Sequence, residues 1–406
     1  MYQPPVGARD LFPLDVAQKR WIEERLQHVF HSWGYHRIIT STLERLDTLM
    51  AGGAVEQSTV IQVHDVDNVG LRPELTASIA RAAVTRMAGV THPQRLYYNA
   101  NVFRRDDRGI QNQQQEFYQA GVELLGSGSV AADAETLLVL SDCLRNLQLD
   151  SCYLVLGDAG LTRSLLSPFP NSLRDRIREA IATLDRVTLE TLPMSADLRD
   201  RALLLLDLRG QPGNVLQRVS SLDLDPEQRA IVSNLKALIE LLQGSEAATP
   251  ALILDLSLVQ LFDYYTGIVF EVVSATESGK RVLGQGGRYD QLLSLYHPQG
   301  ESCPGIGFVL NIEDLHQVLL PTGQLPSQTE NSDRLLVPTD LKAYAATFAY
   351  AQTLRQSGLR VEVELQGQSA SAIREYAQQR RIAQIVWVSE TGEPQNETVE
   401  LPTGVI

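Results

Sequence analysis

The chain has 406 residues, a formal net charge of −14, 44% hydrophobic residues and 21% charged ones. Such a length exceeds what one core usually holds, so two or three domains are expected, and the composition is that of a soluble globular protein. No apolar run reaches the length of a membrane span, and the scattered lysines (Lys19, Lys236, Lys280 and Lys342) supply no basic patch of the kind that grips a polyanion. Neither a membrane nor a nucleic acid is therefore expected as a partner. The opening MYQPPVGARD has no basic start and no apolar core of a secretory leader. Cys143, Cys152 and Cys303 have no metal-binding spacing. A reducing, cytoplasmic setting with no cofactor is the simplest expectation.

In chain order, Val16, Ile22, Leu26, Val29, Phe30 and Trp33 fall largely at three- and four-residue spacing, and Gly34 follows. That predicts a helix over 15–33. GYHRIITSTL, Gly34 to Leu43, reads as a strand, and Val60 to Leu71 as two short strands turning at Asp67-Asn68. In LRPELTASIARAAV, Pro73 and Glu74 mark a helix start. Glu74 and Thr76 then lie at a strand-to-helix junction, where first-turn N–H groups are free to meet a ligand; a routine helix cap would look the same.

Tyr97 to Gly126 is the most informative stretch. It reads as two strands, up to Phe103 and from Glu116 to Leu125, joined by a long polar loop. Arg104 precedes the loop, and Gln119 and Glu123 share one face of the return strand. An arginine opposite an amide and a carboxylate suits a ligand carrying both a carboxylate and an amine. It also suits an exposed hairpin with ordinary polar residues.

Ala131 to Leu147 is predicted helical and Tyr153 to Leu156 a strand. GDAGLTRSLL after it has only Asp158 where a phosphoribosyl-diphosphate loop wants two adjacent acids. Leu161 to about Gly244 reads as a helical insertion. Strand signals return at Ala251 to Leu256 and in LVQLFDYYTGIVFEVV. GQGGRYD has glycines at 284, 286 and 287 that allow close backbone approach, a weak phosphate-binding signal by itself. GIGFV, from Gly305, is a further strand, with a helix from Asn311 to Leu319. The Pro/Ser/Thr/Gln-rich segment 321–333 reads as a linker. Beyond it, strands alternate with helices over Leu341–Gln356 and Ala370–Arg380, a small α/β unit with a parallel sheet.

Taken together, GARDLFP, LRPELTA, FRR…QEFYQAGVELLG, LFDYYTGIVFE, GGRYD and PGIGF occur in one order. The chain resembles class II aminoacyl-tRNA synthetases of the histidyl type. The resemblance implies an α+β core over 1–320, an antiparallel sheet flanked by helices, with the helical insertion at about 161–246. It further implies that 334–406 resembles a shortened anticodon-binding domain. Positions that hold the amino acid in that family are kept: Glu74, Thr76, Arg104, Gln119, Glu123, Tyr264, Tyr265 and Tyr289. Tyr264 suits core packing equally, since neighbours on a strand face opposite ways. Positions that serve adenylation are altered. Gln260 and Asp314 each replace an arginine, Asp106-Asp107 replaces Glu-Arg, and Ser41 replaces the dimer-strand proline. A carboxylate close to a phosphate costs on the order of 4 kcal/mol at an effective dielectric constant near 20.

An amino-acid pocket without the means to activate its ligand is similar to that of the regulatory subunits of ATP phosphoribosyltransferase. That resemblance implies a non-catalytic chain, dimeric within a hetero-oligomer. It would be required by a separate short-form catalytic subunit and would pass on feedback inhibition by L-histidine. The alternative is a histidyl-tRNA synthetase with degenerate ATP-site residues. A stand-alone transferase is disfavoured, since no phosphoribosyl-diphosphate loop with paired acids is present.

Overall fold

The computed structural model describes residues 3–53, 55–64, 68–105, 114–245, 249–258, 264–276 and 279–401. Two compact units divide the chain, Met1–Pro326 and Ser327–Ile406. Among the described residues, no helix is long and apolar enough to cross a membrane.

The first unit is built on a nine-stranded sheet. Seven strands carry it: β1 (Gln94–Phe103), β2 (Glu116–Leu125), β3 (Cys152–Asp158), β4 (Ala251–Asp255), β5 (Ile268–Thr276), β6 (Gly279–Arg288) and β7 (Gly305–Asn311). Their order is β1-β2-β7-β6-β5-β3-β4, and two-residue strands at His36–Arg37 and Arg209–Gly210 finish the edges. All neighbours among the seven are antiparallel except β3 and β4.

The period-2 alternation of β1 and β2 decides what each face does. Tyr97, Ala120, Val122 and Leu124 point to one side, onto Ile22, Leu26 and Phe30 of α1 (Pro13–Ser32). Leu96, Tyr98, Val102 and Leu125 point to the other, onto Ile79, Ala80 and Ala83 of α2 (Thr76–Thr85). The first face is the main core, shared with α3 (Val130–Asn146) through Leu137, Leu140 and Leu144. The helices between Ala159 and Gly244 add Leu161, Leu165, Val232 and Leu235 to that same core. This helical stretch thus has no core of its own. It ends in α4 (Pro226–Gly244), whose start is closed by an Asp225–Gln228 capping box.

Several expectations shift. Val16 is 47% exposed, and the buried residue of that turn is Gln18, satisfied by the Pro326 carbonyl at 2.8 Å and by His316 at 2.7 Å. The strand expected over Gly34 to Leu43 is broken into His36–Arg37 and Leu43–Arg45. The two pieces join different sheets, the second pairing with Val69–Leu71. The turn expected at Asp67-Asn68 lies partly outside the described residues. Asp158 caps the helix Ala159–Leu166 by accepting the Leu161 N–H at 2.7 Å, which accounts for that isolated acid.

The segment after α5 (Ile312–Leu319) is anchored by Leu325, buried in the core of the first unit. The second unit has a four-stranded sheet ordered Val361–Val363, Arg334–Pro338, Gln384–Val388, Pro394–Thr398. Its first three strands are parallel and the last is antiparallel. That last strand, PQNET, carries no hydrophobic pattern to read. It forms because the turn at Gly392, with φ of 83°, folds the chain back onto Gln384–Val388.

Candidate functional site

The sheet face away from the main core carries a small cleft. Glu74, Thr76, Arg104, Gln119, Glu123, Tyr264, Tyr265 and Tyr289 all line it. Five chain segments therefore meet at one point: the α2 start, the end of β1, β2, the residues before β5, and the residues after β6.

Strand register places the acid at its centre. Glu123 on β2 stands opposite Gly307 on β7, and a Cβ on Gly307 would overlap both the Glu123 carboxylate and the Val122 carbonyl. Glycine is thus the residue that leaves room for the carboxylate. Glu123 is 1% exposed. It accepts the Thr76 hydroxyl at 2.8 Å and the Tyr289 hydroxyl. Burial pushes its carboxyl up to about 8, with the nearby Glu74 adding to the rise against the pull of the two hydroxyls.

Glu74 is buried as well and accepts the N–H groups of Thr76 and Ala77 at 2.5 and 2.9 Å. It therefore caps α2 while lining the cleft. Burial raises its pKa, opposed by those N–H donors and by Arg104. The Arg104 side chain donates through Nε to the Pro73 carbonyl at 2.7 Å. Burial lowers its pKa, and Glu74 opposes the change. Gln119 is fixed by its cross-strand partner Asn311, Nε2 to Oδ1 at 3.1 Å.

Tyr264 and Tyr265 were expected on opposite faces if they lay on a strand. They precede β5 in irregular backbone, so both rings turn to the cleft, their centroids 4.8 Å apart. Tyr264 also meets Tyr289 edge-on at 5.9 Å. Tyr98, Gln285, Gly307 and Phe308 line the cleft too and were not singled out from the sequence. Their only signal is register: Tyr98 pairs with Gly121, whose missing Cβ makes way for the Tyr98 ring, and Gln285 pairs with Val309. Arg72 was missed as well. Buried, it donates to the carbonyls of Asn101 at 3.0 Å and Thr40 at 2.8 Å, holding the strand-to-helix junction under the pocket.

A second, larger cleft adjoins the first and shares Arg104 and Gln119 with it. Its wall includes the first turn of α5, where two carboxylates stand. Glu313 accepts the Tyr118 N–H at 3.0 Å and the Gln114 amide at 3.2 Å. Asp314 pairs with Arg281 at 2.7 Å. A helix start attracts anions through its free N–H groups and dipole, and here side-chain carboxylates already occupy that field. The negative charge expected at Asp314 is present, but Arg281 counters it, and Arg9 lines the same cleft. The glycines of GQGG are not a phosphate loop. Gly284 and Gly286 sit inside β6, where a Cβ would strike carbonyls of β7. Gln260, Asp106 and Asp107 lie outside the described residues.

The family described as histidyl-tRNA synthetase matches residues 7–315. A relative from Nostoc punctiforme named ATP phosphoribosyltransferase regulatory subunit is 64% identical, the alignment spanning 98% of this chain and 100% of the relative. One of the same name from Synechococcus elongatus is 56% identical over 98% of this chain and 97% of its own length. Among solved structures, a Bacillus halodurans protein described as an ATP phosphoribosyltransferase regulatory subunit/histidyl-tRNA synthetase superposes with a TM-score of 0.81 at 26% identity, covering 96% of this chain and 98% of that one. A histidyl-tRNA synthetase from a Nostoc species gives 0.79 at 18% identity, with 98% and 97% covered, a likeness of fold. These relatives show that the chain belongs to the family of ATP phosphoribosyltransferase regulatory subunits, built on the class II histidyl-tRNA synthetase fold.

Proposed function

We propose that this chain binds free L-histidine in the inner cleft and, as the non-catalytic partner of a short-form ATP phosphoribosyltransferase subunit, carries feedback inhibition in histidine biosynthesis. The observation that carries the reading is the meeting of Arg104 with Glu74 and Glu123 in one buried pocket, beside a helix start filled by Glu313 and Asp314. A guanidinium pairs with a carboxylate, and a carboxylate with an ammonium. Glu74, Thr76, Arg104, Gln119, Glu123, Tyr264, Tyr265 and Tyr289 are the proposed contacts. Histidine can shift the complex only by binding one of its states better, and coupling of about 1–3 kcal/mol is usual.

Arg104→Ala is expected to weaken histidine binding about 10- to 100-fold, the worth of a charged hydrogen bond of roughly 1.5–3 kcal/mol. Calorimetry on the chain and on its complex reads this directly; unchanged affinity would remove Arg104 from the site.

We further propose a dimer within the hetero-oligomer, in the cytoplasm. Ile39 is 80% exposed and Leu43 50% exposed, on the segment where the resemblance places the dimer strand. The region 334–406 is proposed as a domain that binds no nucleic acid. Three of its six arginines, Arg360, Arg374 and Arg380, pair with Glu330, Glu397 and Glu362. The competing reading, an active synthetase, predicts pyrophosphate exchange with histidine and ATP; we expect none.

A further inference from the structure

We infer that Gln285 makes the inner cleft select a free carboxylate: from the border between the two clefts, its side-chain amide donates to the ligand carboxylate that Arg104 holds from the opposite side. This rests on the amino-acid reading above and adds to it a residue and a selectivity.

Sheet register puts Gln285 at the end of one cross-strand row. Tyr98 on β1 pairs with Gly121 on β2, Gly121 with Val309 on β7, and Val309 with Gln285 on β6. On the same face, the next row to one side is Glu123 with Gly307, and the next to the other is Gln119 with Asn311. Val309 and Gln285 line the inner cleft, Asn311 lines the larger one, and Gln119 lines both. Further back along β6, Arg281 also lines the larger cleft. Gln285 therefore stands where the two clefts meet. Arg104 lines both clefts as well, but comes from the end of β1, on the far side of that row. Between them the floor is Gly121 and Val309, two strand spacings or roughly 10 Å with no polar side chain.

The donors and acceptors decide what Gln285 meets. It is half-buried, and among the described residues nothing hydrogen-bonds its side-chain amide. An amide that faces a pocket without a protein partner is available to a ligand. The ammonium of an amino acid has acceptors without it. Glu74 offers a carboxylate, and Gln119, whose Nε2 is spent on Asn311, keeps its Oε1. The carboxylate is less well served. Arg104 has spent Nε on the Pro73 carbonyl, so its terminal nitrogens approach from one side. A carboxylate has two oxygens and about four lone-pair sites, which leaves acceptor capacity facing β6. The Gln285 Nε2–H groups fill it. A bond to an ionised acceptor is stronger than one to a neutral hydroxyl, so the same amide distinguishes an acid from its alcohol.

The test is calorimetry at pH 7.5 with histidine, and with histidinol read by competition, on the full chain and on its complex with the catalytic subunit. Histidinol carries an alcohol in place of the carboxylate. Gln285→Met keeps the side-chain length without the donor. It should weaken histidine about 10-fold and histidinol about threefold or less, the difference between a charged and a neutral hydrogen bond. Gln285→Glu sets a second carboxylate beside that of the ligand. It should weaken histidine about 100-fold or more through like-charge repulsion, while the histidinol hydroxyl can donate to the new acid and loses about threefold or less. The ratio of the two affinities is taken within one protein, so a general loosening of the cleft lowers both and cancels. Unchanged histidine affinity in either variant, or an equal loss for both ligands, overturns the role of Gln285 and leaves the amino-acid site standing. No histidine binding to the wild-type chain or to its complex overturns both.

Discussion

Replacing Gly307 with alanine is expected to abolish measurable histidine binding and to cost the fold roughly 1–3 kcal/mol, the usual range for an overpacked interior. The new Cβ would press on the Glu123 carboxylate and the Val122 carbonyl. A flexible side chain could yield, but the carbonyl belongs to β2, in register with β7 from Gly305↔Leu125 to Asn311↔Gln119. Relief therefore requires the strands to part, or Glu123 to leave the Thr76 and Tyr289 hydroxyls that hold it. Either change dismantles the acid end of the cleft. Urea unfolding gives the first quantity and calorimetry the second. Wild-type affinity in Gly307→Ala would show that the Glu123 position is not set by this close approach.

The second large effect lies behind the sheet. Arg288, from the GGRYD motif, is 6% exposed and donates to Asp133 through Nε at 2.9 Å and Nη2 at 2.5 Å, and to Asp290 at 2.9 Å. It also reaches the Ser127 carbonyl at 3.2 Å, tying β6 to the entry of α3. Removing one member of a buried pair leaves the other charge uncompensated, at a cost of about 3–5 kcal/mol. Arg288→Met, which keeps the stem's bulk, should lose that much at pH 7.5.

The loss should shrink in acid. Burial already raises the Asp133 carboxyl to about 6 against the pull of Arg288, and without the arginine it rises further. The folded variant then binds a proton that the unfolded chain has released above its ordinary carboxylate range. Its stability consequently falls as pH rises through that window and recovers below it. Unfolding at pH 5 and 7.5 reads the difference. An equal deficit at both values would mean that Asp133 finds another partner.

How much of this was legible in the sequence depended on whether the deciding interaction was local. Helical spacing located α1 and α3 to within a residue or two, because a stripe of apolar residues is written into nearby positions. The hairpin β1–β2 was equally clear. The pairing of Glu123 with Gly307 was not, since the two lie far apart in the chain and meet only through sheet register. PGIGF could be seen as a glycine-bearing strand, yet nothing in it names the carboxylate it shelters. Arg281 shows the same limit: Asp314 was visible as a misplaced negative charge, and its partner on β6 was not. The eight proposed contacts came from resemblance to a family rather than from spacing, and the structure brings all eight to one cleft.

The most direct test of the account is the rate of the catalytic subunit measured with and without this chain, across a histidine titration, using wild type and Arg104→Ala. The account predicts a transferase that needs the chain, is inhibited by histidine with the wild-type chain, and resists inhibition with Arg104→Ala while staying active. Equal inhibition of both complexes would contradict it, as would a transferase indifferent to the chain.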